Sequence, residues 1–335
     1  MPAGETIRGI REALARNLNL LGDSPAFQKV VEQCSRIAPY DVTVLLVGET
    51  GTGKELIARA LHFLSPRASG PFVPADCAAI PETLFAHELF GHERGAFTDA
   101  RETKLGLLVS ASGGTLFLDE VESLPLTAQG TLLRLLDTHE WRPFGSAKWK
   151  PLDCRIIAAT NEDLATLIEK GLFRRDLYYR LTIEICHLPP LRERAEDIPL
   201  LTQRYLSFFC KTFQRETLTI SEEVLSLLCT YCWPGNIREL QNCVQHAVVH
   251  AAGPVLRPSD LLLPMTPHMA AEDPAASWKE ARHQAVVAWE KMFLARTLQR
   301  RRGSLIQVAQ QLHLSRMQLY RLLKKYHLHS PRLGH

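Results

Sequence analysis

The sequence predicts an α/β fold: a three-layer domain built on a parallel sheet, then an all-helical subdomain and a C-terminal all-α helix-turn-helix domain. Short apolar segments typical of buried parallel strands occur at 42–47, 115–118 and 155–159, each followed by a loop and a helical pattern. That alternation indicates a three-layer α/β architecture. Beyond Pro199 no strand pattern remains, and the apolar spacing at 222–228 and 236–250 favours helices.

Changes in composition place the domain boundaries. Five prolines fall within about twenty residues after Gly253, which is typical of a linker. We therefore predict a short N-terminal segment (1–21), an α/β subdomain (22–195), a helical lid subdomain (196–253), a proline-rich linker (254–277) and a helix-turn-helix domain (278–335).

Charge is unevenly distributed along the chain. The formal net charge is +3, yet from Ala275 to the end twelve lysines and arginines accompany only two acids. A basic terminal segment on a mildly acidic body indicates a polyanion partner, the alternative being a solvated basic tail. The spacing of the eight cysteines is not that of a disulfide framework. We find no run of about 20 apolar residues and expect no secretory leader. We expect a cytoplasmic protein without membrane contact.

A glycine-rich loop follows the first apolar strand and opens a helix. Glycines let backbone N–H groups turn inward around phosphates, and the helix N-terminus adds its positive end. The spacing matches the P-loop pattern in the strand-to-helix context that this pattern requires; a chance glycine-rich loop is the alternative. The predicted nucleotide-binding residues are Gly48, Glu49, Thr50, Gly51, Thr52, Gly53, Lys54 and Glu55. Lys54 would reach the β- and γ-phosphates, and Glu55 stands where a Ser or Thr usually holds the metal.

A second strand delivers two adjacent carboxylates at its carboxyl end. Asp119 would hold Mg²⁺ through water, and Glu120 would polarise the water that attacks ATP. Two acids at the end of a buried strand are costly without a cation, so a purely structural explanation is poor. A third strand ends at Asn161, which could sense the γ-phosphate or orient the water. The sequence therefore predicts ATP hydrolysis, with ATP and Mg²⁺ as ligands.

Longer segments surround these motifs. They read GETGTGKE (48–55), ELFGHERGAFTDA (88–100), GGTLFLDE (113–120), RIIAATN (155–161), FRRDLYYRL (173–181), LPPLRER (188–194) and WPGNIREL (233–240). Together they resemble the AAA+ domain of bacterial enhancer-binding proteins, the ATPases that activate sigma-54 RNA polymerase, over residues 21–253. In this family Glu is the usual residue after the P-loop lysine.

The resemblance implies an AAA+ fold and a homo-oligomer, from dimer to hexameric ring, with ATP at subunit boundaries. Arg174 and Arg180 match the family's trans-acting arginines, which stabilise charge on the γ-phosphate; a solvated helix face is the alternative. Arg238 matches the residue that reads the nucleotide within one subunit. The resemblance also assigns to the ATP and magnesium site the segment Ala111, Ser112, Gly113, Gly114, Thr115, Leu116, Phe117, Leu118, Asp119 and Glu120.

The loop with which this family grips sigma-54 is altered here. It comprises Gly95, Ala96, Phe97, Thr98, Asp99 and Ala100. Phe97 and Thr98 match the sigma-contacting residues, whereas Asp99 replaces a glycine and adds charge and bulk. The main hypothesis is a DNA-bound ATPase that remodels sigma-54 polymerase. One rival is a DNA-binding regulator that binds nucleotide without remodelling, and another is a protein remodeller unrelated to transcription.

A second departure from the family is Asp76, at a position where Asn is frequent and bonds the catalytic glutamate. An amide can donate to a carboxylate, but an ionised aspartate cannot. Asp76 and Glu120 would therefore share a proton or stay apart, which would alter the restraint on hydrolysis.

The terminal domain has the pattern of a helix-turn-helix. Val308, Ala309 and Leu312 form a first apolar face, and Leu319, Leu322 and Leu323 form a second. The predicted DNA-binding residues are Ser315, which caps the second helix, and Arg316, Gln318, Arg321, Lys324 and Lys325 on its outer face. The domain resembles the Fis-like domain of enhancer-binding proteins and implies double-stranded enhancer sites as partners. About twenty residues cannot hold the family's N-terminal sensory domain, so we expect a regulator acting in trans or control by synthesis.

Overall fold

The computed structural model describes residues 3–94, 103–263, 309, 312 and 316–325. The chain divides into two compact units, Met1–Leu262 and Leu263–His335. In the first unit the strands are β1 (Val44–Val47), β2 (Phe72–Asp76), β3 (Gly91–His92), β4 (Lys104–Leu105), β5 (Thr115–Asp119), β6 (Glu140–Trp141), β7 (Lys150–Pro151), β8 (Arg155–Thr160), β9 (Glu184–His187), β10 (Thr219–Ile220) and β11 (Val255–Leu256).

The described helices are distributed over both units. They are α1 (Ala3–Leu18), α2 (Pro25–Ile37), α3 (Lys54–Phe63), α4 (Phe85–Phe90), α5 (Leu107–Ser110), α6 (Leu126–Thr138), α7 (Leu164–Glu169), α8 (Arg175–Leu181), α9 (Ile198–Thr212), α10 (Glu222–Thr230), α11 (Asn236–His250) and α12 (Arg316–Lys325). None of them is both long and apolar enough to span a membrane.

Five parallel strands form the central sheet in the order β2-β5-β8-β1-β9. The three strands predicted from the sequence, β1, β5 and β8, are its centre. Alternate residues of β5 enter opposite cores: Leu116 and Leu118 join one apolar cluster, and Phe117 joins the other. Because side chains of a strand alternate between faces, the sheet is covered by helices on both sides, which confirms the three-layer architecture.

The N-terminal residues add a helix that the sequence interpretation did not include. Leu14 of α1 is buried, as is Leu20 just after it, and both join the cluster that contains Val31 and Ile57. Residues 1–21, predicted only as a short N-terminal segment, therefore contain a helix packed on the α/β core.

The lid is helical, and α10 and α11 coincide with the predicted helical patterns. Helix α9 packs on α11, and Trp233 between α10 and α11 is fully buried, with its indole Nε1 donating to the carbonyl of Leu228 at 2.8 Å. Two two-residue strands, β10 and β11, pair in parallel within this helical region, a detail that the sequence pattern did not predict.

The second unit is described at a few positions. Ala309 is helical and buried, and α12 buries Leu319 and Leu323 while Leu322 is half-buried. These residues agree with the two apolar faces predicted for a helix-turn-helix.

A buried arginine joins the sheet to the end of α2. Arg155, at the start of β8, is 2% exposed, and its guanidinium donates to the carbonyls of Val42, Ala38 and Ile37 at 3.2, 3.1 and 3.4 Å. Burial lowers the pKa of this guanidinium. The carbonyls at a helix C-terminus have no intrahelical donors, so Arg155 supplies donors to buried acceptors there, although the carbonyl of Ile37 also accepts from the amide of Tyr40 at 3.0 Å.

We expect Arg155→Met to lower the free energy of unfolding by about 2–4 kcal/mol, because it removes the guanidinium that donates to these three carbonyls in the core. Urea denaturation of the full chain measures the change. Lys170→Met, an exposed position at the end of α7, is the control and should stay within about 0.5 kcal/mol of wild type. Equal stability of the two variants would show that the carbonyls do not need this arginine.

Candidate active site

The glycine-rich loop joins the carboxyl end of β1 to the start of α3. The amide of Gly48 donates to the carbonyl of Thr160 at the end of β8, 3.2 Å away, so the loop lies beside the neighbouring strand's end. Helix α3 begins at Lys54 directly after Gly53, whose φ of 99° is in the left-handed region. The helix N-terminus, whose first amides have no intrahelical acceptor, thus lies at the carboxyl edge of the sheet, where a phosphate site is expected.

Lys54 is 8% exposed and folds back onto its own loop. Its Nζ donates to the carbonyls of Gly48 and Glu49 at 2.9 and 3.3 Å. Burial lowers the pKa of Lys54, whereas the nearby carboxylates of Asp119, Glu122 and Glu120 act to raise it. The structure therefore brings the predicted lysine and the predicted acid pair into one electrostatic cluster.

Asp119 and Glu120 lie at the carboxyl end of β5, level with the glycine-rich loop. Burial raises the pKa of Asp119, and the Lys54 ammonium opposes the rise. The amide of Glu120 donates to Asp119 Oδ1 at 3.0 Å. Glu120 itself has φ 54°, a left-handed conformation that costs a non-glycine residue about 1 kcal/mol or more. Strain of this kind persists where surrounding contacts impose it.

Asp76 ends β2, in register with Asp119. Its Oδ1 accepts from the amides of Ala78 and Ala79 at 3.0 and 3.3 Å, so the carboxylate is held by its own turn. The pKa of Glu120 is raised by burial first and then by the negative charges of Asp76, Asp119 and Glu122. Asp76 and Glu120 were expected either to share a proton or to stay apart. The hydrogen bonds of Asp76 to its own turn favour the second alternative, in which Asp76 acts on Glu120 only through its charge.

Sequence reasoning missed Glu122. Its Oε1 accepts from the amide of Asn161 at 3.1 Å, and so connects the segment after β5 to the end of β8. Its Oε2 is buried and has no hydrogen-bond partner in the described structure. The signal available in the sequence was a third acid two positions after Glu120.

Most of the predicted segment 111–118 lies away from this edge, which corrects that part of the prediction. Thr115 pairs with Arg155, whereas Val47 pairs with Thr160 five residues further along β8. At about 3.3 Å per residue, Thr115 is roughly 16 Å from the glycine-rich loop along the strand direction. Ala111, Ser112, Gly113 and Gly114 precede it, and Leu116, Phe117 and Leu118 are buried in the cores. Only the acids that end the motif reach the site, because the motif runs the length of a strand.

The predicted arginines occupy two different places. Arg238 of α11 lies beside the glycine-rich loop, since its Cβ would be 3.1 Å from a Cβ placed on Gly51, and its charge acts to lower the pKa of Lys54. Arg174 and Arg180 flank and end α8, where they pair with Asp176 at 2.7 Å and Asp137 at 2.5 Å. Both of these guanidinium groups are about half exposed.

Glu55 also has a partner outside the loop. Its carboxylate accepts from Arg59, one helical turn later, at 3.0 and 2.7 Å. Both side chains are largely exposed, so the pair contributes little to stability.

Two sets of predicted residues lie outside the described part of the structure. The first is the whole segment from Gly95 to Ala100. The second is Ser315 together with the side chains of Arg316, Arg321, Lys324 and Lys325, although α12 includes their backbone and Gln318 is exposed.

The base of the segment 95–102 is nevertheless described. β3 and β4 pair on either side of it, and Phe144, after β6, accepts a backbone hydrogen bond from Glu93 and donates one to Gly91. The ring of Phe144 stacks on His87 with centroids 4.4 Å apart. The residues on either side of the segment are therefore held together by backbone pairing.

Comparison with known proteins gives the same architecture. The Sigma-54 interaction domain matches residues 20–186, the AAA+ ATPase lid domain matches 192–277, and the Fis family of bacterial regulatory proteins matches 287–326. The transcriptional regulatory protein ZraR of Salmonella typhimurium is 40% identical over 321 residues, which cover 96% of this chain and 72% of ZraR. The chain belongs to the sigma-54-dependent transcriptional activators.

Other relatives of this activator family agree. The regulatory protein AtoC of Escherichia coli is 46% identical over 258 residues, 76% of this chain, and the chain spans 56% of AtoC. The crystal structure of NtrX from Brucella abortus in complex with ATP superposes with a TM-score of 0.69 at 31% identity, covering 96% of this chain and 73% of NtrX. The AAA+ fold, the helical lid and the Fis-type domain predicted from the sequence are thus confirmed. The prediction of ATP as the bound nucleotide is confirmed as well.

We expect Asp76→Asn to shift the acid limb of the ATPase pH profile to lower pH. A general base must be ionised, and the Asp76 charge helps to hold the pKa of Glu120 above its ordinary value. Removing that charge lowers this pKa, so activity survives further acidification. Steady-state kcat measured from about pH 5 to 8 tests this. Glu169→Gln, an exposed acid at the end of α7, is the control and should leave the limb in place; a limb unmoved in both variants would contradict the assignment.

Proposed function

We propose that this chain binds upstream DNA through its Fis-type domain and hydrolyses ATP in an AAA+ ring to remodel sigma-54 RNA polymerase at promoters. The observation that carries the proposal is the convergence of Lys54, Asp119, Glu120 and Asn161 at one edge of the sheet, inside a sigma-54 interaction domain. A cytoplasmic location is part of the proposal, and the eight free cysteines support it.

In this proposal Glu120 is the general base. It accepts a proton from water as the water oxygen bonds to the γ-phosphorus, and the bond from that phosphorus to the β–γ bridging oxygen breaks to give ADP and phosphate. Lys54 leaves its two loop carbonyls to bind the β- and γ-phosphates. Asn161 orients the water. Glu122 holds Asn161 in place, because its Oε1 accepts from the backbone amide of Asn161.

The residues present suit a magnesium ion brought in with ATP. The described residues form no group of three His, Cys, Asp or Glu side chains that could cage a metal. Mg²⁺ is commonly held by one or two carboxylates together with substrate phosphates, so a full protein cage is not needed. Asp119 would hold the ion through water, and the unpartnered Oε2 of Glu122 adds acceptor capacity nearby. When bound, the ion neutralises charge on the phosphate oxygens.

The ring is the part of the proposal that completes the active site. Arg174, just before α8, and Arg180, on that helix, are exposed, and in this proposal they contact the nucleotide of a neighbouring subunit. Arg238, beside the glycine-rich loop, would read the nucleotide of its own subunit. On ring assembly, Arg180 would leave Asp137 and pair with the γ-phosphate of the neighbouring subunit's nucleotide. Such arginines contribute about 10³–10⁵-fold in rate in other phosphoryl-transfer systems.

The remaining partners follow from residues 95–100 and 315–325. Residues 95–100 would contact sigma-54 through Phe97 and Thr98, with Asp99 as an adapted or weakened contact. Ser315, Arg316 and Gln318 would read base edges, and Arg321, Lys324 and Lys325 would meet phosphates. A protein acting in trans, or synthesis, would control the activity.

We expect the wild-type chain to form open complexes with sigma-54 polymerase on supercoiled promoter DNA when ATP is supplied. Glu120→Gln should bind ATP yet form none, because its amide cannot accept the proton, and Lys54→Ala should lose ATP binding. Permanganate footprinting detects open complexes, and a phosphate-release assay measures turnover. Wild-type ATP hydrolysis without open complexes would instead favour a regulator that does not remodel sigma-54.

We expect Arg180→Ala to lower turnover by about 10³-fold or more while each subunit still binds ATP. Mixing it with Glu120→Gln should restore part of the activity, because each variant supplies the group that the other's interface lacks. Arg175→Ala, on the same helix, is the matched control and should need no rescue. Mixed rings confirmed by light scattering but without recovered activity would exclude a trans-acting role for Arg180.

A further inference from the structure

Asn236, the first residue of α11, is fully buried, and its side-chain amide makes three hydrogen bonds at and around the glycine-rich loop. Its Oδ1 accepts from the amide of Leu191 at 2.7 Å. Its Nδ2 donates to Glu49 Oε2 at 3.1 Å and to the carbonyl of Thr50 at 3.0 Å. The residue has φ 52°, a conformation in which asparagine and aspartate are favoured over other side chains.

Glu49 completes this contact from the loop side. Its carboxylate accepts two bonds from the Arg192 guanidinium, at 2.9 and 2.6 Å, as well as the bond from Asn236. Arg192 is the main cause that lowers the pKa of Glu49, and Asn236 is the next. The ion pair is about half exposed and contributes little alone, so the buried amide of Asn236 is the specific element.

Two further bonds continue the same contact along the loop. The amide of Ile237 donates to the carbonyl of Gly51 at 3.0 Å, and Arg194, which is 2% exposed, donates to the carbonyl of Thr52 at 2.8 Å. Gly51 has φ 79°, and a Cβ there would collide with the carbonyl oxygen of Gly235. The loop and the lid are therefore in direct backbone contact.

These bonds decide where the loop's amides point. In a trans peptide the C=O and N–H lie on opposite sides of the bond, so a carbonyl held toward the lid turns the next N–H away from it. The carbonyls of Thr50, Gly51 and Thr52 all have donors on the lid side. The amides of the following residues are thereby turned away from the lid. That of Thr52 donates within the loop to the carbonyl of Glu49 at 3.3 Å, and those of Gly51 and Gly53 are left for an anion.

We propose that Asn236 is a positioning residue for the phosphate-binding loop, which it holds in the phosphate-binding conformation through Thr50 and Glu49 and couples to the lid. The inference rests on the proposed ATPase activity. It deepens that activity by assigning nucleotide affinity to a lid residue that touches neither the nucleotide nor the reacting water.

The test is Asn236→Asp in the full chain, with mant-ADP as the probe. The carboxylate keeps the shape, the left-handed backbone and the acceptor for Leu191, but it sets an oxygen against the Glu49 carboxylate and the Thr50 carbonyl. We expect mant-ADP affinity to fall roughly 10- to 100-fold and KM for ATP to rise in parallel, with kcat within a few-fold of wild type. The matched control is Asn19→Asp, an exposed asparagine with φ 53° that is distant in sequence from the loop.

A second variant separates positioning from folding. Glu49→Gln combined with Asn236→Asp gives the new carboxylate at position 236 an amide donor, so the double variant should bind mant-ADP more tightly than Asn236→Asp alone. A residue needed only to start α11 would show no such rescue. Glu49→Lys, at a half-exposed position, should weaken binding on its own by setting a cation against Arg192 and the Asn236 amide.

The outcomes distinguish this inference from the proposed function. If the wild-type chain binds no mant-ADP, the ATPase proposal fails. If it binds and hydrolyses normally but folded Asn236→Asp and Glu49→Lys both match it in affinity, only the positioning role is overturned.

Discussion

Parallel pairing of five strands is the constraint on which the rest of this structure depends. In a parallel sheet every carboxyl end emerges at the same edge, so residues far apart in sequence become neighbours without any contact of their own. The glycine-rich loop, the acid pair and Asn161 each follow a different central strand and meet there. The electrostatic features of the site follow from this convergence: Lys54 lies among acids, and the pKa of each acid responds to the others.

The lid supplies hydrogen bonds to the glycine-rich loop that the sheet does not provide. Segments around residues 191–194 and 235–238 supply donors to carbonyls of the glycine-rich loop, and a buried aspartate, Asp197, accepts from the amides of Asp23 and Ser24 at 2.6 and 2.7 Å. The entry to α2, the loop and the lid are thus joined at one junction. In the proposed coupling, a displacement of the lid would therefore move the carbonyls of the glycine-rich loop and the amides next to them. A change of bound nucleotide would be transmitted to the lid through the same hydrogen bonds.

The sequence pattern predicted the three central strands of the sheet but not its two edge strands, for a physical reason. β1, β5 and β8 are buried on both faces and read as apolar runs, whereas β2 and β9 are edge strands. β2 contains Pro74, which edge strands tolerate because one side of the backbone needs no partner. Motif residues such as Lys54, Asp119 and Glu120 do lie at one edge of the sheet, because each follows directly on a central strand and its loop. Asn236 was missed because its partner Glu49 is 187 residues away in sequence.

The strand order also constrains how the protein can be made. β1 is complete early in synthesis, yet its two neighbours in the sheet begin at residues 155 and 184. Pairings this distant are slow to form and leave apolar strands uncovered meanwhile. A ribosome must release nearly half of the chain before Val44–Val47 acquires its first neighbour, β8. Until then the nascent nucleotide loop has no sheet behind it, so chaperone capture and aggregation compete with folding during this interval.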